Sequence, residues 1–346
     1  NLAARLHHHG AKPCHAVRLL RAWVQGHPLA SAYRRRDDLP VSVRDVLPAL
    51  QEALAALARM RSRHPSADGS ERLLLDLHDG QTVESVLLPR DGVCVSSQVG
   101  CAVGCTFCRT GQDGLTRHLG SAEIVAQVAL ARTLRTVRKV VFMGMGEPAH
   151  NLDEVLAAIE FLGTHGDLPH KNLVLSTVGD RRVFERLASA RVRPGLALSL
   201  HSMSAAVRAT LLPRAPRIDP AELVALGEAY ARATHYPIQY QWTLLAGVND
   251  SDADADAIAD ALQGKYAVMN FIPFNAVDGI AHRRPAPERA FALARRLHQR
   301  GVLAKLRDSA GQDVDGGCGQ LRARVLRLQP ADAGSSPRYQ YRNAFR

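Results

Sequence analysis

Beyond residue 70 the chain alternates two hydrophobic rhythms. Short β-branched and aliphatic runs, typical of buried strands, lie at 139–143, 172–176, 195–200, 238–244, 268–272 and 303–306. Between them, apolar residues recur at helical spacing over 121–134, 152–162, 183–190, 220–233, 252–262 and 287–300. Repeated βα units of this length predict an α/β fold with a parallel sheet, closed into a βα barrel or forming part of one. Ligands in such folds gather at the carboxyl ends of the strands. Ahead of these units, strands at 73–77 and 82–88 flank Asp79-Gly80, a strong hairpin signal. Period two places Glu84 on one face with Thr82 and Val86, where an exposed strand glutamate is the default expectation.

The first 65 residues read as helical. Pro13 opens a helix with Val17, Leu20 and Val24 on one face beside Leu19 and Trp23, and Gly26 with Pro28 ends it. A second helix is expected over 48–61, carrying Leu50, Leu54 and Leu57. The expected organisation is a small N-terminal helical domain over 1–70 and a barrel domain with its preceding hairpin and a C-terminal cysteine loop over 71–328. A flexible basic tail follows over 329–346, after a short basic helix at 321–328. His7 to His9 read as solvated, and Arg34 to Arg36 as a loop open either to phosphate or to water alone.

Composition narrows the class. The chain has 346 residues, 46% of them hydrophobic, enough for a substantial core. No apolar run reaches membrane-spanning length, and no apolar signal region stands at the N-terminus. The chain begins at Asn1 rather than Met, so its natural start is expected upstream. Lysine plus arginine exceed aspartate plus glutamate by 44 − 33 = 11, which favours a polyanion, nucleic acid first, although arginine richness that merely tracks a high-GC genome gives the same excess. Six cysteines without a secretory signal read as ligands and reactive thiols in the reducing cytosol.

The chemistry is concentrated at Cys94 to Cys108, Cys-Val-Ser-Ser-Gln-Val-Gly-Cys-Ala-Val-Gly-Cys-Thr-Phe-Cys. Cys101, Cys105 and Cys108 have the spacing C-x3-C-x2-C, so three thiolates can hold three corners of an iron-sulfur cube and leave the fourth iron open to a ligand. The competing reading is structural zinc with Cys94 as fourth thiolate, but zinc prefers two short clips and only one exists here. Strand ends add Gly144-Met145-Gly146-Glu147-Pro148, Ser176-Thr177, Ser199-Leu200-His201 and Asn275, which together suit a cofactor pocket. Cys318, flanked by glycines, reads as a reactive thiol on a mobile loop. Arg338, Tyr339, Tyr341, Arg342 and Phe345 offer charge and stacking to RNA.

The C-x3-C-x2-C spacing with Phe107 before the last cysteine is similar to that of radical S-adenosylmethionine (SAM) enzymes. More specifically, the chain resembles the RlmN/Cfr family of RNA adenine methyltransferases through Cys-Val-Ser-Ser-Gln-Val-Gly-Cys, Phe-Met-Gly-Met-Gly-Glu-Pro, Ser-Leu-His, Gly-Val-Asn-Asp at 247–250, Ile-Pro-Phe-Asn and Cys-Gly-Gln-Leu at 318–321. The likeness covers about 72–325, and the helical start resembles a shortened RNA-binding domain. It implies a 4Fe-4S cluster on Cys101, Cys105 and Cys108, and SAM on Gly146, Glu147, Ser176, Ser199, Leu200, His201 and Asn275. It further implies a methyl-carrying Cys318, a resolving Cys94 and a proton acceptor at Glu84. By this likeness one SAM methylates Cys318, and a second yields the radical that activates the S-methyl group for addition to the ring. Cys94 then frees the adduct. The implied substrate is an adenine, carbon 2 of a 23S rRNA adenosine or a tRNA, with flavodoxin or ferredoxin as electron donor and a cytoplasmic monomer as the working state. Departures are Val178 for the usual serine, Ala149-His150 for two leucines and a shorter loop from Glu84 to Cys94. The alternatives are a radical SAM enzyme with another substrate and a non-catalytic zinc-containing RNA-binding protein.

Overall fold

The computed structural model describes residues 6–33 and 39–323. Its strands are β1 (Arg59–Pro65), β2 (Glu71–Asp76), β3 (Thr82–Leu88), β4 (Gly92–Cys94), β5 (Gln98–Gly100), β6 (Leu115–His118), β7 (Lys139–Phe142), β8 (Leu173–Thr177), β9 (Gly195–Ser199), β10 (Ile238–Leu244), β11 (Ala267–Pro273) and β12 (Ala304–Leu306). All but β5 and β6, which form a separate ribbon, join one ten-stranded sheet in chain order. β1 to β4 run antiparallel, and every pairing from β4 through β12 is parallel. Helices α1 (Pro13–Val24), α2 (Val41–Ala55), α3 (Ser121–Leu134), α4 (Leu152–Thr164), α5 (Arg181–Ala188), α6 (Ala205–Leu211), α7 (Pro220–Thr234), α8 (Asp252–Leu262) and α9 (Pro287–Gln299) complete the α/β fold. None of them is long and apolar enough to cross a membrane.

The two faces of the parallel sheet differ in chemistry, and the register tells which is which. Residues paired across strands share a face. Cys94 pairs with Val141 and Val141 with Val174, two residues before Ser176; farther along, Ser199 pairs with Gln241, Gln241 with Asn270 and Asn270 with Lys305. This face is largely polar. The opposite face carries Leu175, Leu198, Tyr240, Trp242 and Phe271, all buried. Burial of that apolar set fixes the register, because a one-residue slip would exchange the faces.

Local signals start the helices where the hydrophobic rhythm places them. Asp219 precedes Pro220 and accepts from the Ala221 amide (2.8 Å), while Ser251 and Asp254 form a reciprocal capping box at α8. The expected 48–61 helix is corrected: α2 starts at Val41, straight after Pro40, and 59–65 is strand. β1 is a charged edge strand whose Arg61 and Arg63 pair with Asp76 and Glu71, so it lacks the apolar alternation that announces a strand. The N-terminal helices share the barrel's core. Gly26 lies against the α3 backbone, Arg132 donates to the Val24 carbonyl (2.8 Å), and Trp23 packs on Phe161.

The chain after β12 returns across the start of the sheet. Asp313 accepts from Ser66 and from the Ala67 amide, and Asp68 accepts from the Gly311 amide (3.1 Å). Residues 321–323, where a helix was expected to begin, are not helical, and 324–346 lie outside the described residues, as do Arg34 to Arg36.

A buried asparagine joins two strand ends. Asn249 donates to the carbonyls of His201 (2.8 Å) and Thr243 (2.9 Å) and accepts from the Leu245 amide (2.8 Å). Alanine there would leave buried backbone groups without partners, so Asn249→Ala is expected to cost about 3 kcal/mol in urea unfolding. A loss below about 1 kcal/mol would mean that water replaces all three bonds.

Candidate active site

One cavity of about 960 Å³, its open mouth included, lies at the carboxyl ends of the parallel strands. That volume suits a cofactor together with part of a substrate. Its wall includes Cys101, Cys105 and Cys108 on one side and Cys318 on another, joined by Gly146, Glu147, Ser176, Ser199, His201 and Asn275. Three expected site residues stand elsewhere. Leu200 is fully buried in the core behind the wall, its amide bonded to the Gln241 carbonyl. Cys94 is buried behind Met143, which does line the cavity. Glu84, read as exposed, is instead fully buried in an ion pair with buried Arg72 and accepts from the Arg322 amide (2.8 Å).

The cysteine loop is shaped by close backbone contacts. A Cβ at Gly100, which has φ +80, would come within 2.1 Å of the Gly114 carbonyl oxygen, and one at Gly111 within 2.9 Å of the Gly104 Cα. Burial raises all three thiols: Cys101 is pushed up to about 12, with neighbouring Glu147 adding to the rise, and Cys105 and Cys108 also move upward. They are protonated in the free protein. Backbone amides at Val103 and Gly104 bond toward Cys101, and the amides of Thr110 and Gly111 toward Cys108, an arrangement that stabilises sulfur as thiolate.

Ser96, Ser97 and Gln98 bracket the Gly144–Glu147 turn. The Met145 amide donates to Ser96 Oγ (2.9 Å), the Ser97 amide to the Met145 carbonyl (2.8 Å), and the Glu147 amide to Gln98 Oε1 (2.7 Å). A Cβ on Gly144 or Gly146 would come within 2.8 or 2.7 Å of this bracket. Gln127, buried in α3, steadies it by accepting from the Ser96 amide (2.8 Å) and donating to the Ser96 carbonyl (2.9 Å). Sequence reasoning missed Gln127; its signal is an uncharged polar residue inside an otherwise apolar helical stretch.

Glu147 Oε1 accepts from Thr177 Oγ1 (2.6 Å) and the Ala149 amide (2.9 Å), and Oε2 from the Val178 amide (3.0 Å). Oε2 keeps room for one more donor from the cavity. Burial raises this carboxyl against those hydrogen bonds. The contact at 178 uses the backbone, so valine serves where the family pattern has serine.

His201 is buried with φ +58, its ring edge-on to Phe107 at 4.8 Å between centroids. Burial, helped by Arg208, pulls its pKa down to about 3, so the ring is neutral. Nδ1 accepts from the Thr243 amide (2.9 Å), which leaves the proton on Nε2 as a donor.

The Cys318 loop is bonded directly to the cysteine loop. The Arg109 amide donates to the Gly319 carbonyl (2.7 Å), Thr110 Oγ1 to the Leu321 carbonyl (2.7 Å) and Asn275 Nδ2 to the Cys318 carbonyl (2.9 Å). Cys318 is open to solvent at the cavity mouth and enclosed elsewhere; the enclosure raises its thiol, while Ser309 and Arg307 oppose the rise. Cys94 is raised by burial and then by the proximity of Cys318.

With this geometry in hand, residues 95–258 match the Radical SAM superfamily. A probable RNA methyltransferase of Aromatoleum aromaticum is 66% identical over 96% of this chain and 95% of that protein, and one of Azoarcus sp. is 64% identical over 97% and 98%. The crystal structure of a radical SAM methyltransferase from Sphaerobacter thermophilus superposes with a TM-score of 0.81 at 33% identity, covering 93% of this chain and 97% of that one. The chain belongs to the radical SAM superfamily.

The residues present fit the cluster and cofactor that such a chain implies. The thiols have amide donors and an apolar shell of Val103, Phe107, Leu211, Leu212 and Phe274. Asn275 Oδ1 is buried without a partner among the described residues, an acceptor left for a ligand.

The radical SAM site also makes a pH signature. Between the ordinary histidine value of 6.5 and about 3, the unfolded chain binds a proton that folded His201 refuses, so stability falls as pH falls through that window. His201→Asn, whose side chain tolerates left-handed backbone, should flatten the acid slope of urea stability by up to about 1.4 kcal/mol per pH unit. Equal slopes in the two proteins would show that His201 titrates normally.

Proposed function

We propose that this radical SAM chain is an RNA methyltransferase of the RlmN/Cfr type that methylates an adenine ring carbon, carbon 2 of a 23S rRNA adenosine first and a tRNA second. The reading is carried by one observation: the C-x3-C-x2-C thiols and Cys318 open into the same cavity, with Cys94 directly behind. The relatives' names supply the RNA. Carbons 2 and 8 of adenine are not nucleophilic, so a methyl group needs a carrier able to meet the ring by another route. When bound, a 4Fe-4S cluster and SAM supply the methyl group and the one-electron chemistry.

The chain's residues divide the remaining work. Cys101, Cys105 and Cys108 would hold the cluster. Glu147 Oε2 would accept from the SAM amino group, with Ser176, Ser199, His201 and Asn275 completing the wall. Cys318 is the methyl acceptor: its thiol gives up a proton beside Arg307 and Ser309, both of which favour the thiolate. Cys94, buried behind the same sulfur, would attack it as a thiolate, forming the disulfide as the bond from Cys318 sulfur to the adduct's methylene carbon breaks and that carbon keeps the electron pair and takes up a proton. Glu84 with Arg72 fixes the returning loop that carries Cys318. The substrate base must leave its stack to enter the cavity. An electron donor, flavodoxin or ferredoxin, and a working monomer belong to this same reading.

After anaerobic reconstitution with iron and sulfide, incubation with SAM should add one methyl group to the Cys318 peptide in mass spectrometry. Cys318→Ala should abolish RNA methylation, and Cys94→Ala should accumulate a covalent protein–RNA adduct. Unmodified Cys318 in iron-loaded protein would sink the carrier mechanism, and unmethylated 23S rRNA and tRNA would sink the assigned substrates.

A further inference from the structure

Arg208, in α6, is a charged side chain kept almost wholly from water: it is 4% exposed. Its hydrogen bonds go to backbone carbonyls and not to a carboxylate, and its Nε has no partner among the described residues. A buried cation without a directly bonded counter-charge is costly, so the fold keeps it against a penalty. Its Nη2 donates to the Val178 carbonyl, just past β8, and to the Ser199 carbonyl at the end of β9 (3.5 Å). Arg208 does not line the cavity, so it acts there only through other groups.

From the Val178 carbonyl a chain of hydrogen bonds leads to the cavity. The peptide between Val178 and Gly179, whose carbonyl accepts from Arg208, donates through the Gly179 amide to Thr177 Oγ1 (3.1 Å), and Thr177 Oγ1 donates to Glu147 Oε1 (2.6 Å). The Val178 amide donates to the other oxygen, Oε2 (3.0 Å). Thr177 and Glu147 are both buried. The path is held by Gly179 at φ +97, where a Cβ would come within 2.6 Å of the Leu223 side chain.

The chain has a direction. Amides only donate, so with Gly179 bonded to Thr177 Oγ1 the hydroxyl proton is left for Oε1. Every bond then points from the cation toward the carboxylate, and in a site that excludes water such bonds strengthen one another. Thr177 and the Ala149 amide occupy Oε1, which turns the carboxylate so that Oε2 keeps a place for a donor in the cavity. Burial alone drives Glu147 toward the neutral acid, a poor acceptor for an ammonium group. We propose that Arg208 is a positioning residue that, through the 178–179 peptide and Thr177, holds Glu147 as a carboxylate with Oε2 aimed at the amino group of SAM. The proposal rests on the assignment of Glu147 to SAM above.

The test compares the binding of two ligands to the iron-loaded, unreduced chain by titration calorimetry, with all proteins matched for iron content. S-adenosylhomocysteine carries the amino acid part of SAM but no methyl group to transfer; 5'-methylthioadenosine lacks the amino acid part. Arg208→Gln should weaken S-adenosylhomocysteine about tenfold and leave methylthioadenosine within about twofold of wild type. Thr177→Val, which interrupts the chain without touching Arg208, should do the same. Because the two groups act in series, the double variant should lose little more than either single one, whereas independent defects multiply. Arg208→Lys, which keeps a cationic donor, should recover most of the preference. Parallel loss of both ligands, or multiplying losses in the double variant, would overturn the proposal and leave Arg208 a prop for the strand ends. Glu147→Gln separates this result from the assignment beneath it. If Glu147→Gln loses the preference while Arg208→Gln and Thr177→Val keep it, only the role of Arg208 falls; if Glu147→Gln keeps it, the assignment of Glu147 to SAM falls and the role of Arg208 with it.

Discussion

Exclusion of water from the inner end of the sheet governs every titratable group around the cavity. Burial pushes Cys101, Cys105 and Cys108 up, raises Glu147 and pulls His201 down. Each shift favours the form without net charge. Such a cavity is suited to a group that brings its own positive charge, which Cys101, Cys105 and Cys108 would hold as thiolates and which would gain the strength of a low-dielectric interaction. The same dryness protects reactive intermediates from water. Dielectric environment thus links ligand binding to chemistry before any individual side chain acts.

A dry cavity has to be held open by contacts that do not fill it. Here backbone and side-chain hydrogen bonds replace packing: Ser96 to Gln98 hold the Gly144–Glu147 turn, Asn249 holds the ends at His201 and Thr243, and Asn275 holds Cys318. Glycine is required at 144 and 146 because the two segments approach too closely for a Cβ. The buried pair Arg72–Glu84 belongs to the same set of ties. A buried ion pair is weak evidence for stability, but losing either partner strands the other charge, so the loop bearing Cys318 is held in one place.

The parallel strands and their crossover helices were legible because they are buried in a regular rhythm; α3 and α8 fall on the residues their periodicity marks. The cysteine spacing and the strand-end motifs were legible because ligand-binding loops sit where strands stop. Other features required the third dimension. β1 hides behind its edge arginines, and β4 to β6 are only three or four residues each. Glu84 looks like a surface glutamate until Arg72, on the neighbouring strand, is seen beside it. Leu200 shares a motif with Ser199 and His201, yet its side chain turns to the core, since a motif fixes the backbone path and not every side chain's direction. Cys94 and Cys318 are remote in sequence, and only the return of the chain across the hairpin puts them together.

That return also sets what the cavity can present. The loop tied down by Asp68 and Asp313 carries Cys318 to the cavity wall, where the Arg109 amide and the Thr110 hydroxyl of the cysteine loop bond to the Gly319 and Leu321 carbonyls. Four sulfurs from two remote parts of the sequence then line one enclosed space. Because the ties run to backbone carbonyls, the side chains of Cys105, Cys108 and Cys318 stay free to face the cavity, and a shift of either loop would move the other with it.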